Sequence, residues 1–157
     1  MRKSLLAVFL LILTGSAFAQ LRMVIDTPIY NDNANAKEEI QEALGKAQHE
    51  NKRVLLVFGA NWCYDCHVLD YRFHEPNVQP ILDKHYVVVH VDIGRGEKNT
   101  DLQSLYKIPV ARGVPAIAVL DKSGTLLFSQ RNGEFAPSRR LPEQSFITFL
   151  KQWAPAS

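Results

Sequence analysis

Residues 54–67, VLLVFGANWCYDCH, run from an unbroken apolar segment through a small-residue turn into the only two cysteines of a 157-residue chain. A run that is apolar at both parities suits a central strand covered on both faces. Gly59-Ala60-Asn61-Trp62 then turns the chain, and Cys63 is expected at the first position of a helix reaching about Phe73. A three-residue offset puts Cys63 and Cys66 on one face of the first turn, close enough to bridge. The same letters admit two chemistries. Read as C-x-x-C-H they are a haem-attachment signature; read as W-C-x-x-C they are a redox dithiol.

Outward from this stretch the pattern is that of an α/β sandwich around a mixed sheet. Upstream, residues 20–35 form a mixed N-terminal extension, with a short strand at 23–26 and a polar Asn/Asp cluster that reads as loop. Asn35 is a plausible cap for the helix AKEEIQEALGKAQHE, which places Ile40, Leu44 and Ala47 on one face and its acids early. Downstream come a short helix at 76–85, a buried strand at 86–91, a polar loop at 94–99 and a brief helix at 100–106. Strands at 116–120 and 126–130 flank Asp121-Lys122-Ser123-Gly124, a hairpin turn signal. Pro142 starts an amphipathic closing helix carrying Phe146, Phe149, Leu150 and Trp153.

The first residues bear on compartment. Arg2 and Lys3 precede nine uninterrupted apolar residues, LLAVFLLIL, and Ala17-Phe18-Ala19 offers small residues at a cleavage site. Residues 1–19 read as a secretory signal peptide cut after Ala19, since the apolar run falls short of the roughly 20 residues a bilayer span needs. The protein is therefore expected to be exported, to the periplasm where the source has an outer membrane, with no membrane segment after cleavage. About 138 residues remain, enough for one domain with one core. Of 18 Lys and Arg against 16 Asp and Glu, the two cations of the signal are lost on cleavage, so the remaining charge balances. A balanced chain makes no electrostatic case for nucleic acid.

Haem chemistry needs an axial ligand and an apolar pocket around a large ring. Met23, His49, His74, His85 and His90 are the remaining ligand candidates, but the apolar runs are already committed to strands. Zinc could draw on Cys63, Cys66, His67 and His74, yet adjacent Cys66 and His67 space poorly for a tetrahedral site. The dithiol reading needs a strand-to-helix junction, where unpaired N–H groups and the helix dipole stabilise a thiolate. VLLVFGANWC provides that junction and calls for neither metal nor cofactor. A structural disulfide without turnover stays open beside it.

The WCxxC after a buried strand, with Arg112-Gly113-Val114-Pro115 about fifty residues later and then a hairpin, resembles the thioredoxin superfamily, and its exported members in particular. The likeness covers the chain from about Lys37 to Trp153. It implies the thioredoxin fold over residues 36–157, a central mixed sheet flanked by helices. It also implies thiol–disulfide oxidoreductase activity on protein or peptide disulfides and thiols, with Cys63 as nucleophile and Cys66 as buried resolving thiol; a monomer is expected by default, since nothing in the sequence argues for an oligomer. Finally it implies a cis peptide at Val114–Pro115 beside the dithiol, where the Val114 backbone would be free to pair with an extended substrate. A redox-inactive binding module of the same fold is the alternative.

Several positions depart from the family pattern. Val57 stands where many thioredoxins carry a buried Asp, and Val88 where they carry a buried Lys. Tyr64-Asp65 replaces Gly-Pro between the cysteines, and residues 106–112 form a longer approach to the proline. Asp65 disfavours a neighbouring thiolate, which makes the pair more reducing, and is expected to take over proton handling for Cys66. Trp62 is expected to shield the dithiol and offer a flat contact to substrates. His67 reads as a half-exposed helix residue, Arg112 as a rim residue, and residues 131–141 as a solvated basic loop.

Overall fold

A computed structural model describes residues 27–156. The signal at 1–19 and the strand at 23–26 lie outside the described residues. The elements are, in order, α1 (Ala36–Glu50), β1 (Arg53–Gly59), α2 (Tyr64–Phe73), α3 (Gln79–His85), β2 (Tyr86–Asp92), α4 (Thr100–Leu105), β3 (Ala116–Leu120), β4 (Leu126–Ser129) and α5 (Glu143–Trp153). Two 3-10 turns, Val110–Arg112 and Ser138–Arg140, precede β3 and α5.

The four strands form one mixed sheet in the order β2-β1-β3-β4. Strand β1 pairs parallel with β2 and antiparallel with β3, and β3 pairs antiparallel with β4. The unbroken apolar run thus becomes a strand with neighbours on both sides and side chains on both faces. Val54, Leu56 and Phe58 pack with Ile40, Ala43 and Ala47 of α1, while Leu55 and Val57 pack with Leu69 and Phe73 of α2 and Phe146 and Leu150 of α5. Each such side chain contributes on the order of 2 kcal/mol on burial, so β1 alone supports both cores. This is the α/β architecture, a central mixed sheet flanked by helices, that the sequence pattern predicts.

Details at the element ends differ from expectation. Helix α2 begins at Tyr64, and Cys63 is its extended N-cap, with φ −85° and ψ 106°, rather than its first helical residue. Helix α3 starts at Gln79, with Pro80 in its first turn where a missing N–H breaks no helical bond. Strand β4 stops at Ser129, and Gln130 closes its end on both groups of Ile117: its N donates to Ile117 O at 3.0 Å and its Oε1 accepts from Ile117 N at 3.2 Å. The hairpin turn is tied by Asp121, whose Oδ1 accepts from Ser123 N at 2.8 Å and Thr125 N at 2.9 Å. No helix among the described residues is long and apolar enough to cross a membrane.

Candidate active site

Strand β1 delivers the chain to the edge of the sheet, and the turn at 60–62 delivers the cysteines to the start of α2. Cys63 and Cys66 are joined in a disulfide, with Cα atoms 5.2 Å apart. The Cys66 amide donates to Cys63 Sγ at 3.1 Å, the ordinary bond of a helix N-cap made here to sulfur. That amide and the start of α2 point partial positive charge at Cys63 Sγ. Cys66 is 1% exposed. Its sulfur lies over the end of β1, where a Cβ on Gly59 would come within 2.6 Å of it. Only glycine leaves that space.

Across from α2 the chain passes through Gly113 to a cis Val114–Pro115 peptide. Val114 O lies 3.5 Å from Cys63 Sγ. Val114 stands beyond the last β1–β3 pair, Phe58 with Ala116, so its backbone lies outside that ladder. The approach at 106–112 is occupied by Tyr106 and Ile108, both buried, and by the Val110–Arg112 turn, with Arg112 exposed at the rim.

Trp62 is 53% exposed, with its indole Nε1 donating to Gly94 O at 2.7 Å and the Arg95 guanidinium 5.8 Å above its ring. On the other side of Cys63, the Arg139 guanidinium lies 5.8 Å from the ring of Tyr64. Two aromatic rings, each with an arginine on it, therefore flank the disulfide.

Three expectations are corrected. His67 is not half-exposed: it is 2% exposed, with Nε2 at 2.8 Å from Asn61 O, because α2 packs it against the turn that carries the cysteines. Asp65 does not face Cys66 by any hydrogen bond. Its Oδ1 accepts from Arg139 N at 2.9 Å and its Oδ2 lies 3.7 Å from the Arg139 guanidinium. Nor are residues 131–141 simply solvated. Phe135 and Ser138 are buried, the Arg72 guanidinium donates to Leu141 O, and Gly113 packs so tightly on Ala136 that a Cβ would sit 2.9 Å from its methyl. This segment braces α2 and the cis-proline turn together.

Two residues absent from the sequence expectations complete the site. The Asn61 carboxamide makes four hydrogen bonds to the segment before α1: Oδ1 accepts from Ile29 N and Tyr30 N, and Nδ2 donates to Tyr30 O and Asp32 Oδ1. Tyr30, 2% exposed, packs in one cluster with Cys63 and Cys66. An aromatic residue inside a polar cluster, IYNDNAN, was the signal that could have marked it. Among the described residues no three His, Cys, Asp or Glu side chains converge as a metal site.

A thioredoxin-like family model matches residues 35–122. The chain belongs to the thioredoxin-like family. Among solved structures, this thioredoxin-like chain is similar to one described as a disulphide isomerase from Xylella fastidiosa Temecula1, at 31% identity and TM-score 0.75 over 81% of this chain and 97% of that one. The reduced C-terminal domain of DsbD from Neisseria meningitidis shares the fold at 21% identity and TM-score 0.50, over 74% of this chain and 96% of that one. Among curated proteins, it is 34% identical over 95 residues to the thiol:disulfide interchange protein DsbD of Vibrio vulnificus, and 30% identical over 119 residues to that of Vibrio cholerae. Those matches cover 60% and 73% of this chain but only 16% and 18% of the two relatives.

Proposed function

We propose that this chain is an exported thiol–disulfide oxidoreductase that reduces disulfides in proteins or peptides. The observation that carries the proposal is the bond from the Cys66 amide to Cys63 Sγ at 3.1 Å. A hydrogen bond to a charged sulfur favours the thiolate, the attacking form. The reduced Cys63 thiolate attacks a substrate disulfide, forming one S–S bond as another breaks, and the departing substrate thiolate takes a proton from water. Cys66, deprotonated in turn, attacks Cys63 Sγ and releases the second substrate thiol. Two electrons pass to the substrate, and a dithiol donor restores the reduced pair.

The rim supports a protein or peptide substrate. Exposed Trp62 and the Val114 backbone beside the sulfur offer one flat contact and one edge for an extended chain. The names of its relatives, an interchange protein and an isomerase, describe the same class of exchange. Haem attachment fits the site poorly, since Cys66 is 1% exposed and buried against Gly59 and Tyr30, which leaves a porphyrin edge no access to it.

Asp65 supports the reducing direction: its carboxylate, next to Cys66 in the chain and held by Arg139, weighs against a neighbouring thiolate and so favours the disulfide. The deciding experiment poises the protein in graded dithiol buffers, traps free thiols by alkylation and weighs it intact. A midpoint near about −270 mV or below supports a reductase, and one near about −120 mV makes the protein an oxidant instead. Cysteines that never titrate would overturn the exchange reading.

A further inference from the structure

Resolution of a mixed disulfide requires Cys66 to lose its proton in one of the driest places in the chain. Among the described residues, the carboxylates around it are engaged elsewhere. Val57 stands where an acid could have been, and Asp65 is bound to Arg139. His67 turns its Nε2 to Asn61 O and leaves Nδ1 buried without a hydrogen-bond partner among the described residues, and Asp70 lies 3.2 Å from His90. Asp92 is held by Lys98 at 2.7 Å and by Gly94 N at 2.9 Å.

One buried, unpartnered polar group meets the sulfur over Gly59. The Tyr30 hydroxyl is buried without a hydrogen-bond partner among the described residues. It points at the same spot above Gly59 as Cys66 Sγ does: a Cβ built there would collide with the hydroxyl and with the sulfur alike. A buried donor left empty costs about 1–3 kcal/mol, so its retention beside a sulfur calls for an explanation. In the disulfide, that sulfur is a poor acceptor. As a thiolate it is a strong one.

We propose that Tyr30 donates its hydroxyl hydrogen bond to the Cys66 thiolate, and that the segment before α1 exists in the site to supply this donor. The proposal rests on the exchange reaction proposed above and deepens it. Asn61 sets the position by gripping the Tyr30 backbone, and the ring is held edge-on against His90 with centroids 5.3 Å apart. Burial, with the nearby carboxylates of Asp70 and Asp92, pushes the ionisation of the phenol far up, so it stays a donor and never becomes the base. The Cys66 proton therefore leaves to water, Tyr30 holds the thiolate that remains, and the substrate thiolate released in the next step takes a proton from water. The proton count balances without an added acid.

The test uses reduced full-length protein and 5,5′-dithiobis(2-nitrobenzoate), followed by stopped flow across about pH 5–10. The first thionitrobenzoate reports attack by Cys63, and the second reports attack by Cys66 on the adduct. Tyr30→Phe is expected to leave the first step unchanged and to raise the pH midpoint of the second by about one to two units. Equal midpoints in the two proteins would overturn the proposal, because a tyrosine that only packs would change stability and not that midpoint. Failure of wild type to release either equivalent would instead sink the exchange reading itself. Should the Phe variant not fold, carbon-13 at tyrosine Cζ in the wild-type chain reads the same contact. Its Tyr30 resonance moves with the Cys66 midpoint, and a resonance indifferent to that midpoint overturns the proposal.

Discussion

Asn61 holds Tyr30 by both ends of one peptide unit's worth of backbone: Oδ1 accepts from Tyr30 N at 2.9 Å, and Nδ2 donates to Tyr30 O at 2.8 Å. The same carboxamide sits two residues before Cys63, so one side chain ties the chain ahead of α1 to the turn that presents the disulfide.

Asn61→Ala removes all four bonds of that clasp. At about 0.5–1 kcal/mol for each partly buried bond, urea denaturation should show a loss of about 2–3 kcal/mol. Amide exchange should quicken first at Ile29 and Tyr30. A variant as stable as wild type would mean that the clasp contributes nothing.

The two cysteines should fail in different ways. Cys63→Ala is expected to reduce disulfide exchange to the uncatalysed background, whereas Cys66→Ala should accumulate a mixed disulfide with substrate, visible by intact mass. Accumulation in the Cys63 variant instead would reverse the proposed roles.

Gly59→Ala places a methyl group on Cys66 Sγ and the Tyr30 hydroxyl. Relief requires the end of β1 or the start of α2 to move, at about 1–3 kcal/mol, read as a lower melting temperature.

At the far hairpin, Ser123 and the backbone amides of Ser123 and Thr125 hold the Asp121 carboxyl below the usual carboxylate range. A depressed native pKa stabilises the fold above the unfolded value of about 4, and that contribution disappears as pH falls and the carboxylate protonates. Asp121→Ala should cost about 1 kcal/mol at neutral pH, little because the group is near solvent, and the difference should shrink towards pH 3. A constant difference across that range would separate the effect from the charge.

Asp65→Asn keeps an oxygen to accept from Arg139 N, while Asp65→Ala does not. The Asn variant should therefore preserve the packing of the Ser138–Arg140 turn on α2 and move only the redox midpoint, towards more oxidising values, as the charge is lost. An unmoved midpoint would remove the argument for the reducing direction.

The parts of this molecule that were legible in sequence are those set by local periodicity. A strand apolar at both parities became β1 with both faces covered, and a DKSG turn became the β3–β4 hairpin. What stayed illegible depends on contacts between distant segments. His67 follows a cysteine and looks like any polar helix residue, and only the facing Asn61 carbonyl makes its burial tolerable. The basic letters of 131–141 hide Phe135, which packs edge-on against Phe149 with centroids 4.8 Å apart. Tyr30 sits among Asn and Asp residues that read as loop, and its place beside the sulfurs is decided 31 residues away.

The match to the family model begins at residue 35, yet a hydroxyl set against the buried sulfur over Gly59 belongs to residue 30. A boundary drawn at that match therefore cuts through the site rather than around it. A chain trimmed to the recognisable portion would keep both cysteines and the sheet beneath them, but the back wall of the reaction chamber would be replaced by solvent. Two relatives alike over the shared portion can in this way differ in chemistry through a few residues outside it.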